Sequence, residues 1–275
     1  MGKIPFEKPP LNLEQQIQVL MDRGMKVVDA ESAKRHLHYI GYYHLSGYYR
    51  YFLDPEDSEN ERFRPGVTFQ DALDLYVFDR QMRNLLMDAF ERIEIAIKSA
   101  MTVSISPNQG IFWLHEPQNF DYARHDMVKK EINDAIAVRE GQKSQFVFID
   151  HFYRKYSDPQ PPCWMVFEAM SFGAASRVYK LTKGPVRREV AEHFDVQHDV
   201  LESWLHALVF GRNVCAHHSR LWNRRFTIKP KIPKKFRNTW PTEAQNRLYV
   251  LCCIIKYLMA RISPESHWSH SLRNI

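Results

Sequence analysis

From Thr68 to about Ser104 the apolar side chains keep an unbroken helical period, through Leu75, Phe78, Met82, Leu85, Leu86, Ala89, Phe90, Ile93 and Ile97. A stripe that long commits the chain to one extended amphipathic helix. Thr68-Phe69-Gln70-Asp71 has the form of a capping box at its start, and Pro107 and Gly110 break it at its end. Asp79, Arg80, Arg92 and Glu94 fall within this stripe, so they require partners, either one another and neighbouring helices or a catalytic group they support. No stretch shows sustained β alternation, a glycine-rich phosphate loop, H-E-x-x-H or G-x-S-x-G. The fold class is therefore all-α.

Other helices read from caps and stops. Asn12 caps a helix to about Arg23, with Leu13, Ile17, Leu20 and Met21 on one face and Gly24 as its stop. Asp29 caps a second, through about Tyr39, ended by Gly41. The pair superficially resembles a DNA-reading helix–turn–helix, but two short helices about a glycine turn are far commoner as packing units. Residues 1–10 read as an extended arm. Tyr39, Tyr42, Tyr43, Tyr48, Tyr49, Tyr51 and Phe52 form a dense aromatic cluster with His44 and Arg50. Such a cluster either stacks unpaired bases or, more commonly, packs as core. Asp54 to Gly66 reads as a polar loop. Amphipathic helices follow over about 121–139 and around Phe146–Tyr153, with Asp158-Pro159-Gln160-Pro161-Pro162 as the clearest linker. Short helices are expected near 173–182 and 185–193, a longer one from about Gln197 to Arg220, and a closing apolar one from Thr242 to about Arg261. Residues 226–233 hold too many prolines for a helix and read as an extended arm. The organisation expected is an N-terminal helical and aromatic region, 1–66, packed on a helical domain, 67–275.

Bulk properties narrow the classes. No apolar run approaches the ~20 residues of a membrane helix, and the first residues lack the apolar core of a secretion signal. The expectation is a cytoplasmic protein without membrane association. Cys163, Cys215, Cys252 and Cys253 form no C-x-x-C pair, and no second Cys/His pair accompanies Cys215, His217 and His218, so no structural metal is expected. The net charge of +6 is localised: Arg212 to Arg237 holds nine Lys/Arg and no acid, which leaves 29 basic against 32 acidic side chains elsewhere. For an isolated basic run a solvated lysine-rich loop is the ordinary reading, but beside an Arg/His signature a footprint for polyanion phosphates is favoured over it.

At the head of this basic region stands Arg212-Asn213-Val214-Cys215-Ala216-His217, continuing as His218-Ser219-Arg220-Leu221-Trp222-Asn223-Arg224. On a continuous helix Asn213, His217, Arg220 and Arg224 would share one stripe, with Arg212 roughly 140° round from His217. Imidazole moves protons near neutral pH, a guanidinium fork fits phosphate, and an amide orients both. The stretch resembles the Arg…His signature of the HEPN nuclease superfamily. The full run is similar to that of its abortive-infection Abi branch (AbiD/AbiF-like). Lys8-Pro9-Pro10-Leu11 with Gln15-Gln16-Ile17, Gly41 to Tyr48, Leu75 to Arg80, Glu91 to Glu94 and Ser203 to His206 match that branch too.

This resemblance implies a HEPN-like helical bundle, here with additional N-terminal helices and an extended basic C-terminal arm. It implies a metal-independent endoribonuclease of phage defence, needing no cofactor, in which the substrate 2′-hydroxyl attacks the adjacent phosphorus. His217 would act as general base or acid, Arg212 would hold the phosphate, and Asn213 would orient them. His218, Arg220, Arg224, Arg225, Lys229, Lys231, Lys234 and Lys235 would bind RNA. HEPN nucleases pair two motifs in a homodimer. Trp204, Leu205, Leu208 and Val209 are candidates for part of that contact, shared with the monomer core. A toxin of this kind would also need an RNA or protein inhibitor. The alternative is a non-catalytic RNA-binding or protein-interaction module on the same fold.

Overall fold

The computed structural model describes residues 5, 9–57, 61–121, 124–136 and 144–274. Among these residues there are twelve α-helices and no strand. Lys8 and the stretch 137–139 of one expected helix lie outside the described residues. Internal contacts divide the chain into residues 1–82 and 83–274. The sequence boundary at Gly66 differs from this division by the first turns of the long helix, whose Phe69 and Ala72 are buried in the N-terminal core.

In the N-terminal unit, α1 (Leu13–Asp22) starts at a complete capping box, Asn12 and Gln15 each accepting the other's backbone N–H at 2.9 Å. Ile17 and Leu20 are buried, whereas Met21 is 47% exposed and belongs to the outer face. Asp29 caps α2 (Ala30–Ile40) through Ser32 N–H at 2.8 Å. Gly41, at φ +91°, then turns the chain into α3 (Tyr42–Tyr49). The aromatic cluster divides. Tyr48 and Tyr49 are core, with Tyr48 OH donating to the buried Asp79 carboxylate at 2.8 Å, but Tyr39 and Tyr43 are 80% and 91% exposed. The described part of the 54–66 loop is held by backbone pairing, Asp54 N–H to Arg62 O at 2.8 Å and Phe63 N–H to Arg23 O at 2.8 Å.

The long helix, α4 (Phe69–Gln109), begins where expected, with Thr68 and Asp71 each accepting the other's backbone N–H. It outlasts its expected end near Ser104 and carries Pro107 in its last turns. The proline removes only the bond to Val103 O, and both residues are exposed, where water satisfies a free carbonyl. Gly110, at φ +82°, ends the helix. Arg80 proves to be exposed rather than part of the buried stripe. Arg92 pairs with Asp88 at 3.1 Å, and Glu94 with Lys98 at 2.8 Å.

The second unit contains the rest of α4, then α5 (His125–Ile136), α6 (Val147–Lys155), α7 (Cys163–Ala169), α8 (Phe172–Leu181), α9 (Gly184–Glu192), α10 (His198–Ala216), α11 (Leu248–Ile262) and α12 (Trp268–Arg273). The proline segment before α7 is no free linker. Pro161 and Pro162 are buried, and Cys163 N–H bonds Ile111 O at 2.9 Å. The closing apolar helix starts at Leu248, later than expected, because residues 241–247 form turns. At the centre lies α10, against α8, α9 and α11. Leu201, Trp204, Leu205 and Leu208 are wholly buried along it. Buried Tyr179 of α8 reaches the carbonyls of Arg187 and His198 at 3.1 and 3.2 Å, tying the start of α10 to α9.

Candidate functional site

The signature closes α10. Gly211 sets its position: a Cβ there would lie 2.6 Å from Leu251 Cδ2 and 3.0 Å from Phe90 Cζ, so α10 crosses α4 and α11 at a distance only glycine permits. The next residue, Arg212, is half-buried and donates from Nη1 to Asn213 Oδ1 at 3.3 Å. Val214 and Cys215 turn into the core. Cys215 is thus walled off from solvent although it stands in the middle of the motif. Burial pushes the Cys252 thiol up to about 12.

The helix ends at Ala216, four residues before the expected end. His217 is the C-cap, with φ −87° and ψ 13°, its N–H on Asn213 O at 3.0 Å. His218 follows at φ +54°, the left-handed region. The N–H groups of His218 and Ser219 then bond Cys215 O and Val214 O, both at 3.0 Å. These two bonds are a Schellman motif with histidine in the place usually taken by glycine. A non-glycine side chain there costs roughly 1 kcal/mol. The strain sits on the second of the signature's two histidines.

This ending breaks the stripe expected of Asn213, His217, Arg220 and Arg224. The first two stay on the helix end, and the last two lie on the loop that follows. Leu221 and Phe226 anchor that loop, Phe226 ring-to-ring on Phe210 at 5.6 Å. Asn223 takes a second left-handed turn at φ +49° and accepts Arg247 Nη1 at 3.1 Å. Phe226 N–H and carbonyl both bond Asn246, at 2.8 and 3.2 Å. Arg224 is half-buried and donates to Arg220 O at 3.3 Å, and Arg225 is exposed.

The basic arm is extended, as its prolines require, but it runs back along α10. Trp204 Nε1 donates to Lys231 O at 2.8 Å, Lys231 N–H to Ser203 Oγ at 2.9 Å, and Lys231 Nζ pairs with Asp199 at 2.8 Å. Lys235 reaches Asp195 at 3.2 Å and Tyr257 OH at 3.0 Å. Arg261, Tyr257 and Lys235 together hold the Asp195 carboxyl down at about 2. Trp204, Phe236, Trp240 and Tyr257 interlock beneath, with centroids 4.5–5.7 Å apart. Ser203 and His217 are fourteen residues apart on α10, about 21 Å at helical rise. The structure therefore groups Arg212, Asn213, His217 and His218 at one end of α10. Lys231 and Lys235 stand towards the other, engaged with acids. Lys229 and Lys234 are exposed on the arm. Among the described residues no group of three or more His, Cys, Asp or Glu is placed to hold a metal ion.

Trp204, Leu205 and Leu208, proposed from sequence as shared with a dimer contact, are fully buried in the monomer, and Val209 is half-buried. The burial removes those three from any interface.

A profile of the Abi-like protein family matches residues 35–223. The chain belongs to the Abi-like family. No curated protein and no solved structure matches it. The match in this Abi-like chain starts within α2 and stops at Asn223, so it includes the whole helix end and leaves out the arm with Lys229, Lys231, Lys234 and Lys235. Sequence reasoning missed Gly211 and Tyr179, which position the site. A glycine inside a helical pattern was the available signal for the first.

Proposed function

We propose that this Abi-like protein is a metal-independent endoribonuclease of the HEPN type, AbiD/AbiF-like, that acts in the cytoplasm in phage defence by abortive infection. The observation that carries the reading is the end of α10, where Arg212, Asn213 and His217 are held on one rigid terminus with His217 exposed. Arg212 clamps the non-bridging oxygens of the scissile phosphate and offsets the charge of the transition state. His217 takes the proton from the 2′-hydroxyl or returns one to the leaving 5′-oxygen. The products are a 2′,3′-cyclic phosphate and a 5′-hydroxyl. Asn213, hydrogen-bonded to Arg212, fixes the guanidinium. His218, Arg220, Arg224 and Arg225 surround the bound strand, and Lys229, Lys231, Lys234 and Lys235 attract RNA from the arm.

One Arg and one His leave a single site short of either acid or base. Two copies with paired helix ends supply both, so the working unit is a homodimer. An RNA or protein inhibitor restrains it until infection. The test is sequencing of RNA 3′ ends from cells expressing wild type, His217→Ala or Arg212→Lys, with purified protein assayed in excess EDTA and on a substrate 2′-deoxy at the scissile position. Cleavage should vanish with His217→Ala, fall by one to two orders of magnitude or more with Arg212→Lys, persist in EDTA and spare the 2′-deoxy strand. Salt-dependent RNA binding without cleavage by wild type would favour a non-catalytic RNA-binding module instead.

A further inference from the structure

The N-terminal unit holds a cavity of about 510 Å³ that takes no part in the chemistry above. Its wall includes Tyr42, Tyr43 and Tyr49, with Tyr42 and Tyr49 edge to face at 5.6 Å. Tyr49 is buried and fixed, while the neighbouring Tyr43 leaves 91% of its surface open. Exposed aromatic rings beside a cavity are unusual expenditure for a monomer unless something covers them. Polar groups converge on the same wall. Glu61 pairs with Arg23 at 2.8 Å and Arg50 at 3.5 Å, so the three carry a net positive charge. Glu61 is itself held in a left-handed conformation, φ +50°. Gln16 spends its amide N–H on Leu11 O at 2.9 Å, and its carbonyl oxygen is buried without a donor.

A ligand for this cavity needs a flat face for the tyrosines, N–H groups for a carboxylate and an amide carbonyl, and an anion for the guanidinium at the rim. A nucleobase with its phosphate has all three. Among the four bases only guanine presents two adjacent donors, N1–H and N2–H, on its Watson–Crick edge. Adenine, cytosine and uracil each set an acceptor beside their donor, which a carboxylate repels. A carboxylate bonded to two guanidiniums keeps lone pairs for both guanine donors. We propose that this cavity takes an unpaired guanine, its Watson–Crick edge on Glu61, its ring against Tyr42 and Tyr43, and its phosphate at Arg50. Its source is either an unpaired position in RNA or a free guanine nucleotide. The site does not depend on cleavage at His217.

Full-length protein is titrated, by calorimetry or tyrosine fluorescence, with GMP, AMP, CMP and UMP. It is titrated in parallel with 2′-O-methyl pentamers of uridine carrying G, A, C or U at the centre, which a 2′-hydroxyl mechanism spares. A preference for G of about tenfold or more is expected in at least one series. GMP binding as tightly as the pentamer identifies a free nucleotide, and binding of the pentamer alone identifies RNA. Tyr43→Ala, at an exposed position that the fold does not need, should weaken the G ligand by roughly 5- to 100-fold, the effect of losing one stacked base. Glu61→Gln should erase the preference for G over A. No binding in either series, equal binding of all four bases, or an unchanged affinity in a folded Tyr43→Ala protein overturns the proposal.

Discussion

Gly211→Ala should destabilise the second unit, against the ordinary effect of that substitution in a helix. At an open helical position alanine is about 1 kcal/mol better than glycine. Here the new methyl would sit 2.6 Å from Leu251 Cδ2 and 3.0 Å from Phe90 Cζ, both on side chains at most 2% exposed. Carbon atoms pack at about 3.5–4.0 Å, so Leu251 must retreat by about 1 Å into a filled core. Overpacking of that kind costs about 1–3 kcal/mol, and two simultaneous short contacts put this case in the upper half. After the propensity gain, a net loss of about 1–2 kcal/mol remains. For a unit of residues 83–274 that corresponds to a melting temperature lower by about 2–8 °C. Calorimetry or thermal circular dichroism reads it. A double-mutant cycle isolates the cause: Leu251→Ala alone should cost about 2–5 kcal/mol, but combined with Gly211→Ala the pair should be at least about 1 kcal/mol more stable than the sum of the two. A Gly211→Ala protein that melts higher than wild type, or a cycle that closes additively, would refute the close approach. It would also remove the reason for placing Arg212 where it is.

Three further outcomes follow from the geometry. At His218, where the left-handed φ is +54°, stability should rank Gly or Asn above His and His above Val, with Val about 1–2 kcal/mol worse in a chemical melt; indifference to Val would show that the helix end is not built as described. Burial lowers the pKa of His115 and of His125, which is 5% exposed and stacked on Phe120, so the unfolded chain binds more protons below about 6.5 and stability should fall as pH drops from 7 towards 5. His125→Phe should flatten that slope, and a slope unchanged by it would assign the acid sensitivity elsewhere. Finally, mixing wild-type and His217→Ala subunits should give heterodimers with far less than half of wild-type activity, whereas full activity per wild-type subunit, or a sedimenting active monomer, would sink the shared site.

Several helix starts were legible in the sequence from local chemistry, whereas α3, α7 and α12 were not read as helices and the Ser171 cap of α8 was missed. Asn12, Asp29, and Thr68 with Asp71 name their own helix starts, because caps are bonds between residues three apart. The end of α10 was not, because its left-handed residue is a histidine and nothing in His217-His218 distinguishes a C-terminus from two more helical positions. The path of the arm was equally hidden. It is set by Lys231 with Asp199 and Lys235 with Asp195, pairs 32 and 40 residues apart that no periodicity connects. The signature residues themselves were found from their types and order, but their grouping depends on Gly211 and on the turn at His218, which only packing reveals.

On the function proposed above, the catalytic pair sits on one helix end and has little freedom to be switched by deformation. Arg212 and His217 are five positions apart, and the turn between them and the loop is locked by two carbonyl bonds and a buried leucine. No hinge lies between the proposed clamp and the proposed base, so on that reading their separation would be the same in the restrained and the active protein. Latency, on that reading, would be a matter of access and company: the end of α10 covered, or its twin withheld. Relief from such restraint would then cost the protein no refolding, and the response would be as fast as the departure of the inhibitor proposed above.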